Sequence, residues 1–178
     1  MQINDKNEGA ESAIKEEATI IIRPYTQKDL PSIYEIEKNC FSESERYTRQ
    51  HLEMLGDFKR YFFLVAQENE GSSIIGYCIG VLKSSREGTV GHIISVAVHP
   101  NNRRLGIGLE LIKELITQLK NAGATSFRLE VKMTNKAARE MYRKLGFNYV
   151  HIMRNYYGDG KDAIVMKMMG IMVDKNEH

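Results

Sequence analysis

The sequence predicts an α/β domain (α+β mixed sheet), in which a central mixed β-sheet carries helices on both faces. Two observations favour this class. Alternating and β-branched runs typical of strands recur along the chain, and amphipathic segments typical of helices lie between them. The 178 residues are 42% hydrophobic and 27% charged, which suits one domain with a substantial core.

The two ends of the chain differ from its middle. Residues 1–18 are polar and acidic without apolar periodicity, so they are expected to form a flexible tail, as is the segment 171–178. The folded domain is predicted to span residues 19–170. The polar N-terminus does not have the pattern of a signal peptide, and no apolar run is long enough for a membrane span.

Charge and cysteine content narrow the expected partners and compartment. The formal net charge of +2 gives no reason to expect nucleic acid or a membrane surface as a partner. Cys40 and Cys78 are too few and too far apart for a disulfide framework or a Cys-x-x-Cys site. We therefore expect two buried thiols and a cytoplasmic location.

The first half of the chain is predicted to contain four strands and two helices. Pro24 ends the first strand, apolar residues from 30 to 40 recur at helical spacing, and turn residues at 69–71 and 84–88 separate the later strands. The predicted elements are, in order, a strand at 19–22, a helix at 30–40 capped by Asp29, a short helix around 51–55, and strands at 61–67, 74–83 and 89–98.

The second half is predicted to alternate helices and strands. One helix begins near Leu105, and its apolar face is expected to comprise Leu105, Leu109, Ile112, Ile116 and Leu119. A strand at 127–133 precedes a helix at 135–145, which closes at Gly146 because glycine is favoured just after a helix. Two strands, at 148–153 and 162–168, complete the domain.

A glycine-containing segment joins the buried strand at 93–98 to the helix that follows. Gly106 and Gly108 fall where a turn becomes the first helical turn, whose amide groups have no intrahelical partner. Glycine lets a phosphate approach the backbone, and Arg103 and Arg104 add positive charge that suits a pyrophosphate. The segment lacks the Lys-Ser or Lys-Thr of a P-loop and the third glycine of a dinucleotide fingerprint. A tight loop packed near a strand is the simpler alternative.

The pattern R-x-x-G-x-G after a strand resembles the acyl-coenzyme A binding motif of the GNAT superfamily of N-acetyltransferases. Three further stretches are similar to parts of that family. Residues 129–147 (LEVxxxNxxAxxxYxxLGF) resemble the second half of its cofactor site. Residues 154–163 resemble a segment of the N-terminal (α-amino) acetyltransferases of the RimI and NatA types. Residues 91–98 resemble the central strand of the NatA type. The resemblance covers about residues 20–168.

The resemblance implies a GNAT fold and a site for acetyl-coenzyme A (acetyl-CoA). Tyr142 matches a tyrosine that points at the thioester sulfur and donates a proton as the thiolate leaves. Asn135 would contact the pantetheine arm, although capping its own helix explains it equally well. The implied cofactor-binding residues are Val96, Ala97, Val98, Arg103, Arg104, Leu105, Gly106, Ile107, Gly108, Leu109, Asn135 and Tyr142.

Two residues in apolar strands are the candidate bases for the substrate amine. Glu130 and His92 each occupy a position where a charge is unfavourable unless it is paired or functional. The family fold implies that their strands are neighbours that diverge near the cofactor, so we expect the two side chains to hold a water between them. A histidine satisfied in the core is the alternative for His92. Two such groups without a third ligand do not favour a metal site.

The resemblance also implies a surface for the acceptor substrate. Tyr156 and Tyr157, in the loop between the last two strands, are expected to hydrogen-bond the peptide backbone. Glu43 and Tyr47 occupy the place of a shorter Leu-Pro-Glu-Asn-Tyr segment in NatA-type chains, but this loop is two residues longer and lacks the proline. A solvated charged loop is the alternative for this region.

Together these features predict an enzyme that transfers acetyl from acetyl-CoA to the α-amino group of protein N-termini, by direct attack in a ternary complex and without a metal. Expected partners are protein or peptide N-termini, with ribosomal proteins or an auxiliary subunit as further candidates. The alternatives are an acetyltransferase for lysine side chains or small-molecule amines, and a non-catalytic acyl-CoA-binding protein.

Overall fold

The computed structural model describes residues 19–69 and 73–170 and contains a seven-stranded sheet flanked by helices. The predicted tails at 1–18 and 171–178, and most of the predicted turn at 69–71, lie outside the described residues. The elements are β1 (Ile20–Pro24), α1 (Leu30–Cys40), α2 (Arg49–Asp57), β2 (Tyr61–Glu68), β3 (Ile74–Ser85), β4 (Gly88–Val98), α3 (Ile107–Asn121), β5 (Ser126–Lys132), α4 (Lys136–Lys144), β6 (Asn148–Met153) and β7 (Ala163–Met169).

The strand order confirms the predicted mixed sheet. The order is β1-β2-β3-β4-β5-β7-β6, and every neighbouring pair is antiparallel except β4 and β5, which run parallel. A parallel pair needs a crossover connection, and α3 supplies it. Among the described residues, no helix is both long enough and apolar enough to cross a membrane.

Each face of the sheet has its own hydrophobic core. On one face α3 packs with Leu111 and Leu115 fully buried, and Phe127 of β5 belongs to the same cluster. On the other face α1 and α2 bury Ile33, Ile36 and Leu52 against β2 and β3. The alternation of side chains along each strand supplies both cores, which is why the central strands read as nearly continuous apolar runs.

Strands β4 and β5 separate partway along their length. Their pairing ends at Ile93 and Leu129, although β4 continues to Val98 and β5 to Lys132. A β-bulge at Ile94 accompanies the separation, because Ile79 of β3 pairs with Ser95 while the next residue, Gly80, pairs with Ile93. Bulges re-aim side chains and interrupt pairing, so the second half of β4 has an open edge.

The apolar face of α3 differs from the predicted one. Leu105 lies before the helix and is 68% exposed, because the helix begins at Ile107, after Gly106 adopts a left-handed φ of 79°. The buried residues are Ile107, Leu111, Ile112, Leu115 and Leu119. Ile112 and Leu119 are therefore confirmed as core residues, whereas the prediction for Leu105 is wrong.

Candidate active site

A cavity of about 430 Å³ occupies the gap between β4 and β5. Its wall includes Tyr142 and Asn135, next to the α3 side of the sheet, as well as Glu37 of α1 on the opposite side. Because the two strands no longer pair there, the cavity is open to residues from both faces of the sheet. Such a passage can bring together two substrates that approach from opposite sides.

The N-terminus of α3 offers unpaired amides beside this gap. The first intrahelical bond runs from the Glu110 amide to the Gly106 carbonyl at 3.1 Å, so the amides of Ile107, Gly108 and Leu109 precede the hydrogen-bond ladder. A Cβ added at Gly108 would lie 3.6 Å from Val98 Cγ2 and 3.7 Å from Met141 Sδ, which are ordinary contacts. The segment therefore has the open backbone and dipole that suit a diphosphate.

The open edge of β4 supplies two further amides. The His99 amide donates to the Ile75 carbonyl of the segment entering β3, whereas the Val98 carbonyl accepts bonds from Arg103 Nε at 3.1 Å and Cys40 Sγ at 3.4 Å. Since successive residues of a strand direct their polar groups to opposite edges, the amides of Val96 and Val98 face the gap.

Among the predicted cofactor-binding residues, Ala97 lies in the core, whereas Arg103 and Arg104 lie at the surface. By the same alternation, the Ala97 amide faces β3, and its buried side chain packs in the core on the α1 side, so its role in cofactor binding stays a prediction. Arg103 and Arg104 are exposed. Arg103 lies against the end of β4, where it also contacts Cys40 Sγ at 3.3 Å.

Helix α4 places two predicted residues in the cavity wall. Asn135 caps the helix, with its side-chain oxygen accepting from the Ala138 amide at 3.1 Å, so its predicted capping role is confirmed. Tyr142 is 5% exposed and packs edge-on against Phe147, with 5.9 Å between ring centroids. Burial raises the pKa of Tyr142, so its hydroxyl keeps its proton at neutral pH and can act as a donor.

Glu130 and His92 are in direct contact. His92 Nε2 lies 2.6 Å from Glu130 Oε2, so the prediction that a water separates them is wrong. Arg128 Nε donates to the other carboxylate oxygen at 2.7 Å. Burial alone would raise the pKa of Glu130, but the hydrogen bonds from His92 and Arg128 outweigh it and lower the pKa. The carboxylate is therefore an anchored charge with both oxygens engaged.

Three of the four predicted acceptor residues line the cavity: Tyr47, Tyr156 and Tyr157. The Tyr157 hydroxyl donates to the Glu130 carbonyl at 3.1 Å, and its ring packs edge-on against that of Tyr156, which is 45% exposed. Tyr47 also lines the cavity, and its amide donates to Glu37 Oε2 at 2.7 Å. Aromatic side chains therefore surround the place where a peptide would enter.

Glu45, and not Glu43, is the acidic residue that this loop contributes to the cavity. The Glu43 side chain is 91% exposed, pairs only loosely with Arg46, at 3.5 Å, and is not part of the cavity wall, so its role in acceptor binding stays a prediction. The Glu45 side chain is 7% exposed, with Lys132 Nζ at 2.7 Å and Lys161 Nζ at 3.2 Å. The hydrogen bond from Lys132 is the main cause that lowers the pKa of Glu45 to about 2.

Sequence reasoning missed a buried polar group on the floor of the cavity. Glu37 is 1% exposed, and its carboxylate accepts hydrogen bonds from the Tyr47 amide and the Tyr77 hydroxyl. Burial raises the pKa of Glu37 to about 7, against the opposing effects of the Tyr47 amide and Arg46. The sequence did indicate a buried carboxylate here, because Glu37 lies four residues after Ile33 and therefore on the apolar face of α1. Within the two described ranges, no three His, Cys, Asp or Glu side chains are grouped so that they could hold a metal ion.

The acetyltransferase (GNAT) family profile matches residues 30–147, and the chain belongs to this family. An uncharacterized N-acetyltransferase of Methanocaldococcus jannaschii is 35% identical over 83% of this chain and 90% of that protein. An N-alpha-acetyltransferase of Sulfurisphaera tokodaii is 32% identical over 82% of this chain and 90% of that protein. The crystal structure of the ribosomal-protein-S18-alanine N-acetyltransferase from Escherichia coli superposes with a TM-score of 0.73 at 27% identity, covering 90% of this chain and 99% of that one.

Proposed function

We propose that this protein transfers acetyl from acetyl-CoA to the α-amino group of protein N-termini. Family membership supports the acetyltransferase activity, and the relatives named for N-terminal and ribosomal-protein acetylation support the class of acceptor. The observation that carries the proposal is the cavity between β4 and β5. It joins free amides suited to a phosphorylated cofactor on one side to aromatic and acidic side chains on the other.

The residues on the α3 side fit acetyl-CoA, which supplies an activated thioester carbonyl as the acyl donor. The amides of Ile107, Gly108 and Leu109 would bind the diphosphate, and Arg103 and Arg104 would add positive charge at its edge. The open amides of Val96 and Val98 would hold the pantetheine arm and the acetyl oxygen. Donors fixed in this way stabilise charge on the carbonyl oxygen as the amine attacks.

The opposite side of the cavity suits an N-terminal amine. Tyr156 and Tyr157 would contact the peptide backbone at the entrance, and the Glu130 carboxylate would orient the ammonium group. An α-amino group has a pKa of about 8 and a lysine side chain one of about 10.4, so neutralising the lysine takes about 3 kcal/mol more at pH 7. A site that contains only weak bases therefore favours the α-amino group of an N-terminus over a lysine side chain as the acetyl acceptor.

Protonation of the leaving group is assigned to Tyr142. Tyr142 lines the cavity at the α4 side, and its buried hydroxyl remains protonated at neutral pH. A donor in this position would give its proton to the coenzyme A thiolate as the carbon–sulfur bond breaks, and the second proton lost by the attacking nitrogen would restore the Tyr142 hydroxyl. The amine attacks the thioester directly, because no activated Cys or Ser nucleophile is required when both substrates share one cavity.

The proposal extends to partners and compartment. Proteins with exposed N-termini, ribosomal proteins among them, are the proposed substrates, and an auxiliary subunit is a proposed partner. A cytoplasmic location fits the two free cysteines, of which Cys78 is fully buried.

The test compares amine classes with the full-length protein. Thiol release from acetyl-CoA is measured with short peptides that begin with Ser, Ala or Met, with N-terminally blocked peptides that contain lysine, and with polyamines. We expect turnover that requires a free N-terminus, with the blocked version of each peptide as its matched control. Higher kcat/KM for lysine peptides or polyamines would refute the acceptor class. Tight cofactor binding with background turnover of every amine would make the protein a non-catalytic acyl-CoA binder.

A further inference from the structure

The structure contains a second buried acid–base system, separate from Glu130 and His92. Glu37 Oε1 accepts a hydrogen bond from the Tyr77 hydroxyl, and the Tyr77 oxygen lies 3.1 Å from Ser95 Oγ. Tyr77 is fully buried, Glu37 is 1% exposed, and Ser95 lies in the wall of the cavity. Three side chains from α1, β3 and β4 therefore form a continuous path from the cavity into the core.

The direction of these hydrogen bonds follows from their donors. Tyr77 has one hydroxyl proton and directs it to the Glu37 carboxylate, so its oxygen accepts the proton of Ser95. The lone pairs of Ser95 are then available to a donor in the cavity. The β-bulge at Ile94 creates this arrangement, because it turns Ser95 toward the α1 face while Ile93 remains in the opposite core.

We propose that this path, the Ser95–Tyr77–Glu37 relay, takes the proton that the substrate ammonium must lose before its nitrogen attacks the thioester. This inference rests on the proposed function. One ammonium proton passes to Ser95 Oγ, the Ser95 proton passes to Tyr77, and the Tyr77 proton passes to Glu37. The ammonium becomes a neutral amine and the Glu37 carboxylate becomes a carboxylic acid. After product release the same path runs in reverse and returns the proton to water in the cavity.

The Glu130 pair is less suited to accept this proton. Its two carboxylate oxygens already accept from Arg128 and His92, and its pKa is lowered. The remaining ring nitrogen of His92, Nδ1, is buried and has no hydrogen-bond partner among the described residues. Proton removal by this pair would require an existing contact to open, whereas the relay begins at a hydroxyl on the cavity wall.

The surroundings of Glu37 match the task. Burial raises its pKa to about 7, close to that of an N-terminal amine, and an acceptor works best when its pKa is near the working pH. Arg46 and the Tyr47 amide act in the opposite direction and keep part of the population ionised. Burial is the main cause that raises the pKa of the nearby Cys40 thiol, and the charge of Glu37 adds to it. Tyr77 and the Tyr47 hydroxyl, whose pKa is raised by burial and by the charge of Glu37, are further titratable neighbours of Glu37 among the described residues.

The experiment is a pH profile of kcat/KM for a short peptide acceptor, from about pH 6 to about pH 9. It compares the wild type with Glu37→Gln, Tyr77→Phe and Ser95→Ala. The matched control is Tyr25→Phe, because the Tyr25 hydroxyl is also buried on the α1 side, stacked on Phe63, and has no partner in the described residues. Thermal unfolding of each variant is measured in parallel.

The relay predicts a defect that depends on pH. The wild type and Tyr25→Phe should lose activity below an apparent pKa near 7, whereas each relay variant should follow the substrate amine, near 8. The variants should therefore be about fivefold slower near pH 7 and about tenfold slower near pH 6, and they should approach the wild type near pH 9, where the amine is already neutral. A uniform loss at every pH, or an unchanged profile, overturns the relay. If the wild type acetylates no N-terminal peptide, the proposed function fails and the relay fails with it.

Discussion

Replacement of Gly108 by a large side chain should abolish cofactor binding without unfolding the protein. A Cβ at this position makes only ordinary contacts, at 3.6 and 3.7 Å, so the fold accepts a side chain there. An indole must extend outward over the first turn of α3, where the diphosphate is proposed to lie. Loss of two charge-assisted hydrogen bonds, at about 1.5–3 kcal/mol each, corresponds to affinity at least about 100-fold weaker.

The measurement is calorimetric titration of Gly108→Trp with coenzyme A and acetyl-CoA, with Gly108→Ala as its control. The alanine variant should bind within a few-fold of the wild type, because a methyl group fits the available space. Thermal unfolding with and without cofactor gives a second readout, since a ligand that binds only the folded state raises its stability. Normal affinity in a folded Gly108→Trp protein would refute the placement of the diphosphate at this helix.

Two further substitutions test other parts of the site. Tyr142→Phe should lower kcat tenfold or more with little change in cofactor affinity, because it removes the proposed proton donor and keeps the ring. Steady-state kinetics measures kcat and calorimetry measures the affinity. An unchanged kcat would exclude Tyr142 as the proton donor. Glu45→Gln should reduce stability at pH 7 by about 1–3 kcal/mol in urea unfolding, because it removes a carboxylate whose pKa is lowered to about 2. Since a lowered pKa stabilises the fold only above the unfolded value near 4.3, the difference should shrink as the pH falls from about 5 toward 2, and a constant difference would show that charge is not its cause.

Much of the fold could be predicted because local patterns and tertiary packing agree. The helix at Leu30–Cys40, the strand β4 before Gly106 and the helix α3 after it follow the patterns of their apolar residues. Asp29 shows the limit of this reasoning. It directly precedes α1 as predicted, yet its carboxylate accepts from the Thr26 amide and pairs with Arg23 at 2.7 Å instead of capping the helix. A residue type that caps helices can be recognised from sequence. Whether its side chain accepts a hydrogen bond from the helix amides or from another nearby donor depends on the fold.

The site was predictable only where its residues belong to local motifs. The amides before Glu110 and the cap at Asn135 follow from helix geometry. The ion pairs of Glu45 with Lys132 and Lys161 join residues 87 and 116 positions apart, and no periodicity relates them. The loop from 41 to 48 contains the polar side chains Glu43, Glu45 and Tyr47 at alternate positions. Sequence alone could not tell that Glu45 turns inward and Glu43 outward.

The bulge at Ile94 explains why both halves of the proposed chemistry meet in one cavity. A regular strand would place Ser95 on the same face as Ile93, among the residues that pack against α3, and would continue the pairing of β4 with β5. The inserted residue reverses the facing of every later side chain in β4. Ser95 then reaches Tyr77 on the α1 side, while the amides of Val96 and Val98 face the gap that opens after Ile93. One extra residue in a strand thus sets the position of the proposed proton path and of the cofactor-binding edge together.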